Sequence, residues 1–216
     1  MNQTPHILEE LENDALTELV NIGVSRAAVS LRKMVGNQVT LSVPSVEVVG
    51  RKLAATLIQE RESDELVAVR QDFSGAFNGR ALLIFPESNS LELVRAVTQD
   101  ELSRTEMVDI EEEALAETGN VVLNGCLATM ANILQRPLTM SLPQVLRGDG
   151  QILFELADKQ DDDGVVLFLY INFAISGRDI RGYIAMLMDL PSLQSLKELI
   201  GEFIARVVGT DGGDAN

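Results

Sequence analysis

The chain has 216 residues, of which 46% are hydrophobic and 23% are charged, a composition typical of a soluble globular protein that excludes a mainly disordered chain. Its formal net charge of -16 would repel nucleic-acid phosphates and anionic lipid headgroups, so we expect neither nucleic acid nor a membrane as a partner. The single cysteine and single histidine exclude an intramolecular disulfide and a Cys/His metal site, which favours the reducing cytoplasm as the compartment.

The first half of the chain predicts a long helix followed by strands. The N-terminal segment carries early acidic residues and no basic region before an apolar run, so we do not expect a secretory signal. The long helix is predicted from Ile7 to Val35, and Gly36 suits the left-handed residue that ends many helices. A shorter helix opened by Pro and Ser closes this half. The predicted strands are Val39–Val43, Val46–Val49, Ala54–Ile58, Leu66–Phe73 and Arg80–Phe85.

The second half predicts the same order of elements. A long helix is predicted from Glu106 to Leu134, and a final helix from Leu193 to Val208. Both halves therefore begin with a long helix and end with a shorter one. The strands predicted between these helices are Leu138–Leu142, Ile152–Leu156, Val165–Phe173 and Ile180–Met188.

Two segments of the chain resemble each other without a gap. At an offset of 99 positions, Glu18 aligns with Glu117 and Asn21 aligns with Asn120. We therefore interpret residues 1–216 as a single domain built from two repeated halves, at about 7–99 and 106–208. Strand-rich halves with helices laid across them predict an α/β, or α+β, sheet-and-helix sandwich, internally duplicated with pseudo-twofold symmetry. Further matches at this offset are Thr40 with Thr139, Ser42 with Ser141 and Pro44 with Pro143.

The repeated Glu-x-x-Asn motif predicts one polar stripe on each long helix. Residues three apart share a helix face, so Glu18 can act with Asn21, and Glu117 with Asn120. The surrounding positions are mostly apolar, so we expect each helix to be packed on most sides, with only its stripe facing outward. One such motif alone is usually a solvated helix face, whereas two copies in one register favour a functional site. Four residues further along each stripe lie Asp14, Ser25, Glu113 and Asn124.

These motifs carry a resemblance to a known family. The segments LTELVNIGVSRAAVSLRKMVGNQVTLSVPSV, ALAETGN and LPQV resemble the CheC/CheX/FliY family of chemotaxis phosphatases, whose signature is Glu-x-x-Asn followed later by Pro. The resemblance covers nearly the whole chain. It is closest to two-site CheC, since CheX-like members are shorter with one functional site. FliY-like members add a flagellar switch domain, for which 216 residues leave no room.

The resemblance implies a CheC-like fold and an enzyme that hydrolyses the aspartyl phosphate of a phosphorylated CheY-type response regulator. It places the catalytic residues at Glu18, Asn21, Glu117 and Asn120. A neutral carboxamide can orient an attacking water, so that is the role expected of each Asn. Each Glu is implied to dock on the active-site lysine of the receiver, because a phosphoryl group would repel a carboxylate. No cofactor of the protein's own is expected, and Mg²⁺ is expected on the response regulator.

The first copy departs from the family pattern. Val20 stands where the family often has Gly, and Ser25 and Arg26 replace small residues, whereas the second copy keeps Gly119. One alternative is therefore a non-catalytic adaptor that binds the phosphorylated response regulator or a CheD-like deamidase. Another is that one site catalyses and the other only docks. A calcium loop at 161–164 is discounted, because the ligand positions counted from its Gly do not fit.

Overall fold

A computed structural model of the protein describes residues 8–43, 46–63, 65–98, 104–154, 164–175 and 178–211. Its helices are α1 (Glu10–Val35), α2 (Arg51–Arg61), α3 (Glu87–Val97), α4 (Arg104–Leu134), α5 (Gly150–Leu153) and α6 (Leu190–Asp211). Its strands are β1 (Val39–Ser42), β2 (Val46–Gly50), β3 (Leu66–Gly75), β4 (Gly79–Pro86), β5 (Leu138–Met140), β6 (Gln144–Gly148), β7 (Val165–Ile175) and β8 (Arg178–Met188).

The strands of the described chain form one eight-stranded sheet whose pairs are all antiparallel. Their order is β1-β7-β8-β4-β3-β5, with β2 also paired to β7 and β6 also paired to β3. Each strand of the first half has a counterpart in the second half: β1 and β5, β2 and β6, β3 and β7, and β4 and β8. When every strand is replaced by its counterpart, the strand order stays the same but is read from the opposite edge of the sheet. Because β1 and β2 pair with a strand of the second half, and β5 and β6 with a strand of the first, both halves share one sheet. That the halves arose by duplication stays a prediction.

Helices cover both faces of this sheet. Helices α1, α3, α4 and α6 lie over a larger apolar core on one face, and α2 and α5 lie over a smaller core on the other. Side chains of β3 alternate between the cores, with Val67 and Val69 in the larger core and Leu66 and Ala68 in the smaller one. Burial on both faces explains why the strands are almost continuously apolar. The predicted sheet-and-helix sandwich is confirmed, with helices on two sides of the sheet.

Both predicted long helices are confirmed. Helix α1 begins at Glu10, where Glu9 and Glu12 form a reciprocal capping box, and it ends at Val35 as predicted. Gly36 is left-handed, with φ of 68°, and its N–H donates to the carbonyl of Arg32. Helix α4 also ends at the predicted residue. Local signals were sufficient here because the long apolar period of each helix, and the Gly terminator of α1, act within one segment.

The predicted strand at Ala54–Ile58 is wrong, because these residues lie in helix α2. Ala54, Ala55 and Ile58 are buried on one face, whereas Lys52 is exposed on the other. This spacing has a helical period rather than the alternation of a half-buried strand. Ala is also the strongest helix former.

The predicted strand at Ile152–Leu156 is also wrong where it is described. Ile152 lies in the short helix α5, and residues 155–156 lie outside the described residues. Asp149 caps this helix, since its side chain accepts a hydrogen bond of 2.9 Å from the Ile152 N–H. Strand β6, just before the helix, was not predicted; it pairs with β3 through Leu66–Arg70.

The two long helices pack directly against each other. A Cβ atom added to Gly23 on α1 would lie 2.8 Å from the Cα atom of Cys126 on α4. One added to Gly125 on α4 would lie 2.9 Å from the Cβ atom of Ala27. Only glycine permits so close an approach at these positions. The two repeated motifs are therefore carried by neighbouring helices of one layer.

Candidate functional site

Both Glu-x-x-Asn motifs face outward from α1 and α4. Glu18 and Glu117 are exposed, and Asn21 and Asn120 are half-buried. The carboxylate therefore stands nearer to solvent than the carboxamide in each copy. The Asn side chains point toward the sheet, where Asn21 contacts the backbone N–H of Val43 and Asn120 contacts the side chain of Gln71 on β3. The structure thus brings the predicted residues together in two pairs, one on each helix.

In the first site, the carboxamide of Asn21 is tied to the end of β1. Its Oδ1 atom accepts a hydrogen bond of 3.2 Å from the backbone N–H of Val43. A backbone N–H can only donate, so the oxygen end of the amide must face the strand and the NH₂ end must face away from it. Pro44, which follows directly, lies outside the described residues.

An open groove runs along α1 beside this site. Val29 is one of its exposed apolar residues, with a relative exposure of 57%. Arg26 brings a positive charge to the groove, at the position that Gly125 occupies in the second copy. The first site therefore combines one acid, one amide, one cation and an apolar rim. The residues that line the groove are Glu18, Asn21, Ile22, Ser25, Arg26 and Val29.

In the second site, the carboxamide of Asn120 belongs to a hydrogen-bond network. Its Oδ1 atom accepts from Asn124 Nδ2 at 2.6 Å and from Gln71 Nε2 at 3.2 Å. Gln71 lies on β3 and is only 1% exposed. Its Nε2 atom also donates to the carbonyl oxygen of Ser141 at 3.0 Å. Because a backbone carbonyl can only accept, the nitrogen end of the Gln71 amide points toward Ser141 and Asn120, and the Asn120 oxygen must face inward.

The segment after β5 forms the rim of the second site. Ser141 is bound to β3 at both its backbone and its side chain, since its N–H donates to the Asp72 carbonyl and its Oγ accepts from the Asp72 N–H, each at 2.9 Å. Leu142 follows with 84% exposure. An anchored serine therefore presents a large apolar side chain to solvent next to the amide network. Pro143 is half-buried beyond it.

Acidic residues surround the second site on the side of Pro143. The groove between Pro143 and α4 is lined by three carboxylates of that helix, Asp109, Glu112 and Glu113. Below it, Arg147 pairs with Glu111 at 3.0 Å. Charge repulsion from this surface disfavours a free phosphate and favours a partner that carries its own cations.

The strand that carries Gln71 also holds a charged pair on its opposite face. The Arg70 guanidinium donates two hydrogen bonds to the Asp72 carboxylate, at 2.8 and 2.9 Å. This pairing holds the pKa of Asp72 below its usual value, with smaller contributions from the nearby Arg70 and Arg80 charges. The strand is thus fixed on both sides of Gln71.

Sequence reasoning missed two contributors to the second site, Gln71 and Leu142. A signal for Gln71 was present, because it interrupts the core-facing series Val67, Val69 and Phe73 with a polar residue. The sequence predicts Leu142 as a strand residue, but β5 ends at Met140. Asn124 was predicted on the polar stripe and lies there, in contact with Asn120.

The described residues contain no arrangement of three or more His, Cys, Asp or Glu side chains that could hold a metal ion. Among the helices described, none combines the length and apolar character needed to cross a membrane.

Comparison with known proteins identifies relatives of the chain. The family described as "Chemotaxis phosphatase CheX" matches residues 67–168, a range that includes Glu117 and Asn120 and excludes Glu18 and Asn21. The flagellar motor switch phosphatase FliY of Bacillus subtilis (strain 168) is 23% identical over 140 residues. These residues make up 64% of this chain and 36% of that protein, so the match spans about a third of the relative's length.

Solved structures show the same fold at low sequence identity. Thermotoga maritima FliY superposes with a TM-score of 0.68 and 16% identity, covering 91% of this chain and 98% of that one. CheX from Desulfovibrio desulfuricans superposes with a TM-score of 0.50 and 17% identity, covering 78% of this chain and 99% of that one. The arrangement of sheet and helices is therefore shared with both types of protein.

Proposed function

Since the chain belongs to the CheC/CheX/FliY family of chemotaxis phosphatases, we propose that it hydrolyses the aspartyl phosphate of a CheY-type response regulator. The observation that carries this proposal is the shared geometry of the two sites. In each, an exposed carboxylate stands three residues before a carboxamide whose oxygen is held inward. This geometry leaves the NH₂ end of each amide on the outer side, where a bound receiver would lie. A cytoplasmic location follows from such a substrate.

The chemistry required of the protein is modest. A water oxygen attacks the phosphorus atom, the bond from phosphorus to the aspartyl oxygen breaks, and the carboxylate leaves with the electron pair. The proton released by the water passes to the phosphate or to solvent, so the products are aspartate and inorganic phosphate. A carboxylate is a good leaving group and needs little help from an acid. Catalysis then consists of aligning the water and stabilising charge on the phosphoryl oxygens.

Asn21 and Asn120 suit this task because an amide nitrogen has two N–H donors. One can hold the attacking water by its oxygen, and the other can bind a phosphoryl oxygen. Holding both groups from one planar amide places the water over the phosphorus atom. A hundredfold acceleration corresponds to about 2.7 kcal/mol. Alignment by one fixed amide is sufficient for an effect of that size.

Glu18 and Glu117 suit a docking role. Both carboxylates are exposed, and each stands one helical turn from its Asn. We assign them to the active-site lysine of the receiver, which is the cation a carboxylate needs when it approaches a phosphorylated surface. Any divalent cation, expected as Mg²⁺, would come with the response regulator.

A second candidate function concerns the first site. Its Val20 and Ser25 differ from the second site, and an Arg at position 26 faces the groove. These differences favour a site that binds the phosphorylated regulator, or a CheD-like deamidase, without catalysing hydrolysis. The two functions are compatible in one chain, with one site that docks and one that hydrolyses.

The test is release of inorganic phosphate from a purified phosphorylated receiver domain. The wild-type chain should accelerate release, and the double variant Asn21→Ala with Asn120→Ala should reduce the rate to that of the receiver alone. Single replacements identify which site contributes. Full activity in the double variant would remove the basis of the proposal, and stable receiver binding without acceleration in the wild type would favour the adaptor.

A further inference from the structure

The strand registers identify the position in the first site that corresponds to Gln71. Val46 of β2 is opposite Leu169 of β7, and the matching residue Val145 of β6 is opposite Val69 of β3. Val69 therefore corresponds to Leu169, and two residues along each strand Gln71 corresponds to Ile171. The other edge of the sheet agrees, because Leu41 is opposite Phe173 and Met140 is opposite Phe73.

The two sites therefore hold their Asn side chains differently. Asn120 Oδ1 accepts two hydrogen bonds, from Gln71 and from Asn124, which fills both lone pairs of that oxygen. In the first site the corresponding positions are Ile171, which is 1% exposed, and Ser25. Asn21 Oδ1 is instead held by the Val43 N–H at 3.2 Å. Two side-chain donors hold the second amide, whereas a backbone donor holds the first.

Burying the Gln71 amide destabilises the fold, because its hydrogen bonds to Asn120 and Ser141 use only the nitrogen end. It faces the larger core at 1% exposure, yet its Oε1 atom has no hydrogen-bond partner among the described residues. The Oδ1 atom of Asn124 is also buried without a partner. Unsatisfied buried oxygens of this kind are destabilising, and an apolar residue such as Ile171 fills the same position in the other half. A polar residue at a core position with such a cost points to a task other than stability.

We propose that Gln71 is a positioning residue of the second site. It fixes the Asn120 carboxamide with its oxygen inward and its NH₂ group toward the partner, and this makes the second site the faster of the two. Gln71 acts only through Asn120 and touches no substrate. This inference rests on the proposed phosphatase function and concerns how one of its two sites is organised.

The experiment uses full-length chains in which only one site can act. Asn21→Ala leaves the second site, and Asn120→Ala leaves the first. The chain with the second site should have the higher kcat. Adding Gln71→Met to that chain should lower kcat about tenfold, which corresponds to about 1.4 kcal/mol, with KM unchanged because Glu117 still docks the receiver.

Thermal stability distinguishes a positioning role from a merely structural one. If Gln71 served only to stabilise the fold, its replacement would lower Tm. Replacing the poorly satisfied amide by an apolar side chain of similar length should leave Tm unchanged or raise it while kcat falls. The Nδ2 proton resonances of Asn120 should shift in the same variant. The matched control is Ile171→Met, placed at the corresponding core position in the same single-site chain, which should leave kcat unchanged.

The outcomes separate this inference from the proposed function. If the double variant Asn21→Ala with Asn120→Ala remains active, the phosphatase proposal fails. If that double variant is inactive but Gln71→Met keeps the kcat of its single-site parent, the positioning role of Gln71 is overturned. If Gln71→Met does not fold, Asn124→Ala removes the other donor to Asn120 Oδ1; an unchanged kcat there overturns the network, and a reduced kcat with unchanged KM supports it.

Discussion

Gly119 of helix α4 rests on Val69 of strand β3 so closely that a Cβ atom added to the glycine would lie 2.4 Å from the Val69 Cγ1 atom. The contact is one residue before Asn120 on the helix and two residues before Gln71 on the strand. It therefore sets the distance across which the Gln71 and Asn120 amides meet. In the first copy the corresponding helix residue is Val20, which is itself buried.

Replacing Gly119 with Ala should push α4 away from β3. We expect the free energy of unfolding to fall by about 1–3 kcal/mol, the usual penalty for an overpacked core. The measurement is urea denaturation. The matched control is Gly201→Ala on α6, where an added Cβ meets nothing within 4 Å and should raise stability by about 0.5–1 kcal/mol through helix propensity. Equal effects of the two substitutions would contradict the close contact.

Leu142 should contribute to docking at the second site. Replacing this 84% exposed side chain with Asp should raise KM for the phosphorylated receiver about tenfold, with kcat and Tm nearly unchanged, because the residue stabilises no core contact. The assay is steady-state phosphate release in the chain whose only active site is the second. Ile152, which is 61% exposed on helix α5 across the sheet, offers the control Ile152→Asp. The same rise in KM for both would show a general effect of charge instead.

Glu117 should act in docking rather than in the chemical step. Glu117→Gln keeps the shape of the side chain and removes its charge, so we expect KM to rise about tenfold with kcat within about a factor of two. Steady-state kinetics at increasing salt provides the measurement, since loss of the ion pair should also weaken the salt dependence of KM. Glu60→Gln, an exposed carboxylate on α2 at the other face of the sheet, is the control for general surface charge. A large loss of kcat at unchanged KM would assign Glu117 to the chemistry.

Cys126 should be unreactive in the folded protein and should make stability fall at high pH. Burial raises the pKa of this thiol to about 12, from an ordinary value of 9.0. Above pH 9 the unfolded thiol loses its proton while the folded one keeps it, so the free energy of unfolding should fall by about 1.4 kcal/mol per pH unit until pH 12. Urea denaturation between pH 8 and pH 10 should show a shallower slope for Cys126→Ala than for wild type.

A thiol reagent gives an independent check of the same burial. Iodoacetamide should label Cys126 in urea and leave it unlabelled in buffer, because the reactive thiolate is absent from the core. Labelling of the folded protein at the rate of a free thiol would contradict the buried position between α1 and α4.

Tyr183 should stabilise the smaller core through Glu62. Its hydroxyl donates a hydrogen bond to the carboxylate of Glu62, and both residues are nearly buried, at 4% and 8% exposure. Burial, followed by the bond to Glu62, raises the pKa of Tyr183. Tyr183→Phe leaves a buried carboxylate without this donor and should lower the free energy of unfolding by about 1–3 kcal/mol.

Tyr170 offers the matched control for that substitution. Its hydroxyl is buried without a hydrogen-bond partner among the described residues, and its ring lies 5.6 Å from the Tyr183 ring. Tyr170→Phe should therefore leave stability unchanged or raise it. Thermal denaturation of both variants measures the difference, and a greater loss for Tyr170→Phe would contradict the assigned hydrogen bond.

Features that depend on neighbours along the chain could be predicted from the amino-acid sequence alone. The period of apolar residues defined α1 and α4, and Gly36 marked the end of the first helix. Helical geometry then placed Glu18 beside Asn21, and Glu117 beside Asn120, on outward faces. These results needed no tertiary contact, since residues three apart on a helix share a face in any fold.

Features that join distant segments could be seen only in the folded chain. The helical spacing of Ala54, Ala55 and Ile58 is local, but the smaller core against which these residues pack is formed only by folding. The pairing of β1 and β2 with β7 depends on hydrogen bonds between segments more than a hundred residues apart. Gln71 meets Asn120 across 49 positions, because the close approach at Gly119 brings a strand of the first half beneath a helix of the second. The spacing of apolar residues along one segment does not show which side chain of a distant segment it will contact. The contact between Gln71 and Asn120 could therefore not be predicted from either segment alone.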